Sequence, residues 1–184
     1  QLRAVAHAVR NHRALILSPT ASGKSFIIYC LLKYYLRKTC KKALVIVPTT
    51  SLVAQLNGDF NDYSEERQFY YTHLVTAGQA KSVDEAKIII STWQSIYKQP
   101  KSYFDQFDII IGDEAHLFKA TSLTKIMEKM VDCKYRFGFT GTLDGTVTNK
   151  LVLEGMFGPV MRVITTKELI DKKTLSDFRI KCLV

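Results

Sequence analysis

The chain has 184 residues, 47% of them hydrophobic, with 26 Lys+Arg against 17 Asp+Glu and a formal net charge of +9. One domain's length with ample apolar material excludes a disordered chain. The absence of any run of about 18 apolar residues excludes a transmembrane helix, and the amphipathic, arginine-dotted start is not that of a secretory signal. Residues 14–17 read as a short buried strand, followed by the turn SPTASGKS and a helix over residues 24–38. A second strand, 43–47, is closed by Pro48 and followed by a helix over 51–60. A weaker strand at 71–75 precedes a strand at 88–90 and a short helix at 93–97. Then come a strand at 108–111, one helix over 115–130, a strand at 136–139 and a helix over 147–156. The last stretch, 165–184, holds a short helix (167–171) and a strand candidate (178–182). Short apolar runs alternating with helical patterns predict an α/β domain, with a mostly parallel central sheet covered by helices on both faces.

The four cysteines, Cys30, Cys40, Cys133 and Cys182, include no C-x-x-C pair. Neither a zinc knuckle nor a disulfide framework is expected, and a reducing cytosol fits. The charge is uneven. The first acid is Asp59, so the nine Lys/Arg residues before it carry the whole +9. Such a balance fits a nucleic-acid partner or a solvated basic face.

Residues 18–25, Ser-Pro-Thr-Ala-Ser-Gly-Lys-Ser, fit the P-loop spacing G-x-x-x-x-G-K-[ST] with Ser18 in place of the first glycine. A strand before the motif and a helix after it are the context that the motif needs. Backbone N–H groups of Thr20, Ala21, Ser22 and Gly23 would face a phosphate at a helix N-terminus. Lys24 would neutralise the β- and γ-phosphates, and Ser25 would ligate Mg²⁺. Residues 108–116, Asp-Ile-Ile-Ile-Gly-Asp-Glu-Ala-His, form a buried strand ending in two carboxylates. Asp113 at its tip is placed to hold Mg²⁺, and Glu114 to orient or deprotonate an attacking water. ATP and Mg²⁺ are the expected substrate and cofactor, and Lys24, Asp113 and Glu114 the catalytic set.

Asp113-Glu-Ala-His116, together with the P-loop, resembles the DEAH-box signature of superfamily 2 helicases and translocases. Further segments follow in the family's order. Val45 to Gln55 resembles motif Ia, Thr76-Ala-Gly78 motif Ib, Ser91 to Ser95 motif Ic, and Phe139-Thr-Gly-Thr142 motif III. Gln1 with Ala4 and Val5 resembles the glutamine segment that reads adenine. Phe157 to Val160, then Thr165 to Leu169, resemble the segment closing the first motor domain. Within the family, Val47-Pro-Thr-Thr50, Thr92-Trp-Gln94 and Tyr97-Lys-Gln-Pro100 are most similar to phage UvsW-type branch-migration DNA helicases.

The resemblance implies a RecA-like P-loop NTPase fold over residues 1–164, with 165–184 leading to a second RecA-like domain that supplies an arginine finger. It implies ATP-driven work on branched recombination or replication DNA, with DNA favoured over RNA, by a cytoplasmic and monomeric enzyme without membrane contact. The chain as it stands is expected to hydrolyse ATP weakly. The family's roles fall on His116, Thr140, Gly141 and Thr142 for coupling. They fall on Pro48, Thr49, Thr50, Ala77, Gly78, Thr92, Trp93 and Gln94 for nucleic-acid contact. Local roles compete: Thr49 and Thr50 also suit a helix cap, Trp93 also suits a core position, and Thr140 and Thr142 also suit a turn. Arg37, Lys38, Lys41 and Lys42 cluster about 20 Å down the P-loop helix, away from the family's strand track. Complementing that helix's C-terminus is their expected role.

Overall fold

Runs rich in Ile, Val and Leu become the strands of one sheet, because residues of that shape fill a pleated surface buried on both sides. The computed structural model describes residues 1–19, 22–38, 42–64, 72–76, 85–143 and 147–171. In chain order the elements are α1 (Leu2–Asn11), β1 (Arg13–Leu17), α2 (Lys24–Lys38), β2 (Ala43–Val47) and α3 (Thr50–Tyr63). There follow β3 (Thr72–Val75), β4 (Ile88–Thr92), α4 (Trp93–Ile96), α5 (Lys101–Phe104) and β5 (Ile109–Gly112). A 3₁₀ turn (Ala115–Lys119), α6 (Thr121–Lys129), β6 (Tyr135–Thr140), α7 (Val147–Phe157), β7 (Val160–Arg162) and α8 (Thr166–Asp171) complete the set.

The sheet has seven strands in the order β3-β4-β2-β5-β6-β1-β7, and every pairing is parallel. Side chains alternate between its faces. Ile16, Val45, Val47, Ile90 and Ile111 face a core shared with α1, α2 and α3. Leu15, Leu44, Ile46, Ile89 and Ile110 face a second core shared with α4, α5, α6 and α7. The α/β reading of the sequence, a parallel sheet covered by helices on both faces, therefore holds. Parallel strands also deliver every strand's C-terminal tip to one edge, where ligands of such sheets bind.

The structure departs from the sequence reading in several places, α1 and α5 among the elements it adds. The single helix expected over 115–130 is broken into the 3₁₀ turn and α6, with Ala120 extended between them (φ −68°, ψ 139°). Thr124 Oγ1 donates back across the break to the Phe118 and Ala120 carbonyls, at 3.2 and 3.3 Å. Phe118 packs over Gly112: a Cβ there would sit 2.6 Å from its ring, so only glycine fits beneath it. Strand β7, not anticipated as such, adds to the outer side of β1 with Leu15 opposite Val160. The strand candidate at 178–182 lies outside the described residues.

Candidate nucleotide and nucleic-acid site

Strands β2, β5, β6 and β1 are neighbours, so their tips present Pro48, Asp113, Thr140 and Ser18 along one edge. The strand carrying Thr140 lies between those carrying the P-loop and Asp113, as motif III requires.

Ser18 is fully buried and stays out of the left-handed region, so its position does not need glycine. Its hydroxyl bonds that of Ser22, which also donates to the Pro19 carbonyl. Gly23 does need to be glycine: its φ is +85°. Gln1 reaches over this point and donates from Nε2 to the Ser22 carbonyl at 3.2 Å. The expected adenine-reading residue thus rests on the P-loop backbone. Thr20 and Ala21, expected to face phosphate, lie outside the described residues.

Lys24 leaves the first turn of α2 toward β5. Its Nζ donates to Glu114 Oε1 at 2.9 Å and lies 3.9 Å from Asp113 Oδ1. Burial pushes the Asp113 carboxyl above its ordinary range, and the Glu114 charge adds to this; Lys24 and the Glu114 N–H, which donates to Asp113 Oδ1, pull the other way. Glu114 adopts a left-handed backbone (φ 51°, ψ 52°), which costs an L-residue about 1–2 kcal/mol. That twist turns the chain from β5 into the 3₁₀ turn and aims two consecutive carboxylates at one lysine.

Around them lies a cavity of about 340 Å³, lined by Gly23, Lys24, Ser25, Asp113 and Glu114, and by Gln55 and Asp59 of α3. The Ser25 hydroxyl and the Asp113 carboxylate are hard oxygen donors on one cavity wall. Mg²⁺ is held in this way, by one or two protein oxygens plus phosphates rather than by an all-protein cage. The residues present therefore fit that ion.

His116 extends the site. Thr140 Oγ1 gives its proton to the Thr142 carbonyl at 2.8 Å, so it accepts the Nδ1–H of His116 at 2.9 Å. The same Nδ1 lies 3.3 Å from Glu114 Oε2. The four residues expected to couple thus meet at one place, with Gly141 between the two threonines.

The nucleic-acid candidates separate. Val47 and Thr92 are paired in the sheet, so Pro48–Thr50 and Thr92–Gln94 emerge side by side. Thr49 caps α3, accepting the Leu52 N–H at 3.4 Å, and both Thr49 and Thr50 are exposed, as is Gln94. Thr92 is buried, its hydroxyl bonded to that of Ser95 at 2.9 Å. Trp93 is half-buried and packs on the second core, edge-on to Tyr97. Ala77 and Gly78 lie outside the described residues. In the basic cluster, Lys38 Nζ sits 4.8 Å from the centre of the Tyr34 ring and Lys42 donates to Gln106. Lys41 is not among the described residues.

The sequence reading placed Gln55 only at the end of the motif Ia segment and gave no role to Asp59 or Tyr63. Their signal was a polar stripe at every fourth position, beside the buried Val53, Leu56 and Phe60.

With this geometry in hand, residues 1–145 match the family described as Type III restriction enzyme, res subunit (ResIII). The chain belongs to this family. Over its whole length it is 34% identical to the ATP-dependent DNA helicase uvsW of Enterobacteria phage T4, and it spans 37% of that protein's length. The crystal structure of the T4 UvsW helicase superposes with a TM-score of 0.77 at 35% identity, over 87% of this chain and 57% of that one. The Pyrococcus furiosus Hef helicase domain (TM-score 0.71, 22% identity, 82% of this chain and 35% of that one) shares the fold. The superfamily 2 likeness read from the motifs is borne out. Among the described residues no helix is long and apolar enough to cross a membrane.

Proposed function

We propose that this chain is the ATP-hydrolysing motor domain of a DNA helicase acting on branched recombination or replication intermediates. The observation that carries the reading is Lys24 held between Glu114 (2.9 Å) and Asp113 (3.9 Å) at the mouth of the P-loop. A lysine so placed is a stand-in for charge to come. When a triphosphate enters, Lys24 turns to its β- and γ-oxygens and releases Glu114, which is then free to take the proton of the attacking water. Ser25 and Asp113 would hold Mg²⁺, which would supply positive charge to the bound phosphates. His116 touches both Glu114 and the motif III threonine, so the state of the water-activating carboxylate is felt at the tip of β6.

The similarity to the T4 DNA helicase supports DNA as the polymer. The exposed N-terminus of α3 beside Gln94 supports a phosphate track along the strand tips. Residues 1–164 then form the motor domain, and 165–184 lead toward a second RecA-like domain bearing the arginine finger.

The test is Glu114→Gln in the complete protein. Hydrolysis should fall by about 10²–10⁴-fold, unwinding should stop, and DNA binding should persist. Retained unwinding would overturn the base assignment. The family's restriction-enzyme description favours a second reading, translocation on duplex without strand separation. Displacement of a triplex-forming strand without release of a duplexed one would select it. ATPase stimulation by RNA over DNA would exclude both.

A further inference from the structure

Helix α3 meets the nucleotide cavity with more than its apolar face. Gln55 and Asp59 line the cavity, and Tyr63, one turn further along, reaches the metal-ligand serine: its hydroxyl lies 2.9 Å from Ser25 Oγ. The ring is fixed by two edge-on contacts, to Phe26 at 5.2 Å and Tyr29 at 5.7 Å between centroids. A tyrosine has two side-chain torsions and a rigid ring, so this packing holds its hydroxyl in place at little entropic cost.

A serine hydroxyl has one proton and two lone pairs, and it rotates freely unless a partner takes the proton. A divalent cation needs a lone pair and is repelled by the proton. We propose that Tyr63 is a positioning residue for the cation site: it accepts the Ser25 hydroxyl proton and so turns the Ser25 lone pairs toward the cation that accompanies the triphosphate. This rests on the reading of the P-loop as a nucleoside triphosphate site. Partners that orient a metal ligand from behind change metal affinity by about 10–100-fold when removed. The reverse polarity, Tyr63 donating to Ser25, would occupy a lone pair and weaken the same site, so the sign of the effect decides.

The experiment is a titration of the complete protein with a fluorescent ADP analogue, in EDTA and across a Mg²⁺ series. Tyr63→Phe keeps the ring contacts and removes only the hydroxyl. It should leave affinity in EDTA unchanged and raise the Mg²⁺ concentration for half-maximal tightening by about tenfold. Ser25→Ala should abolish the Mg²⁺ response. A Tyr63→Phe curve that overlaps the wild type, or shifts to lower Mg²⁺, overturns the inference alone. A wild-type protein indifferent to Mg²⁺ overturns the nucleotide reading and this inference with it.

Discussion

His116 Nδ1 lies 2.9 Å from Thr140 Oγ1, tying the turn after β5 to the tip of β6. The bond has a fixed direction, because the threonine's only proton already goes to the Thr142 carbonyl. Thr140→Val keeps the shape and removes the acceptor. Leaving these partners unpaired should cost about 1 kcal/mol in stability. In the complete protein the change should leave nucleotide affinity within about twofold while lowering DNA-stimulated turnover by tenfold or more. ATPase rates with and without single-stranded DNA check this; unchanged stimulation would remove Thr140 from the coupling path.

The left-handed backbone of Glu114 separates strain from chemistry. Glu114→Ala and Glu114→Gly lose the same carboxylate, but only alanine keeps the Cβ that the twist disfavours. The glycine variant should be the more stable of the two by about 1 kcal/mol, with both inactive. Thermal melts of the pair measure it. Equal melting temperatures would mean that the turn relaxes without cost.

Asp113 has a definite pH signature. Its carboxyl is raised chiefly by burial, so the folded state holds a proton that the unfolded chain gives up at its ordinary carboxylate pKa. In that window the folded state binds more protons, and stability falls as pH rises from the unfolded toward the folded pKa. Asp113→Asn removes the penalty. The nucleotide-free variant should melt at a higher temperature near neutral pH. The gain should vanish below the carboxylate range, and Mg²⁺-dependent nucleotide binding should be lost throughout. A lower melting point at neutral pH would show that pairing with Lys24 outweighs burial.

Cys133 is buried, and burial pushes its thiol up to about 12. Thiolate is the reactive form, so a soluble maleimide should leave Cys133 unlabelled in the folded protein and modify it only on unfolding. Peptide mass mapping against denaturant reads this out, and rapid native labelling would contradict the packing described.

How far the sequence carried depends on what held each element in place. The P-loop helix was legible to the residue, Lys24–Lys38, and β2 likewise, because their limits are local: a glycine before the helix and a proline after the strand. Strand β7 was not. Its three residues, Val160, Met161 and Arg162, carry no alternation and exist as a strand only by pairing with β1. The unbroken helix expected over 115–130 failed for a similar reason. Nothing near Ala120 announces a break; it accompanies the packing of Phe118 over Gly112. At the site, motif spacing named Lys24, Ser25, Asp113 and Glu114, and the fold brings all four to one cavity. For Tyr63 the sequence offered only its place in the polar stripe of α3, and its partner lies 38 residues away in the chain. Thr92, chosen as a surface contact, is buried because the end of β4 is covered.

The hydroxyl bond between Ser18 and Ser22 changes what an incoming phosphate finds. In a glycine-led loop, the first and fifth positions are joined only by the chain between them. Here a side-chain staple fixes their separation during folding. Conformational freedom that anion binding would otherwise remove at these two positions is already gone, so the loop's grip begins preorganised.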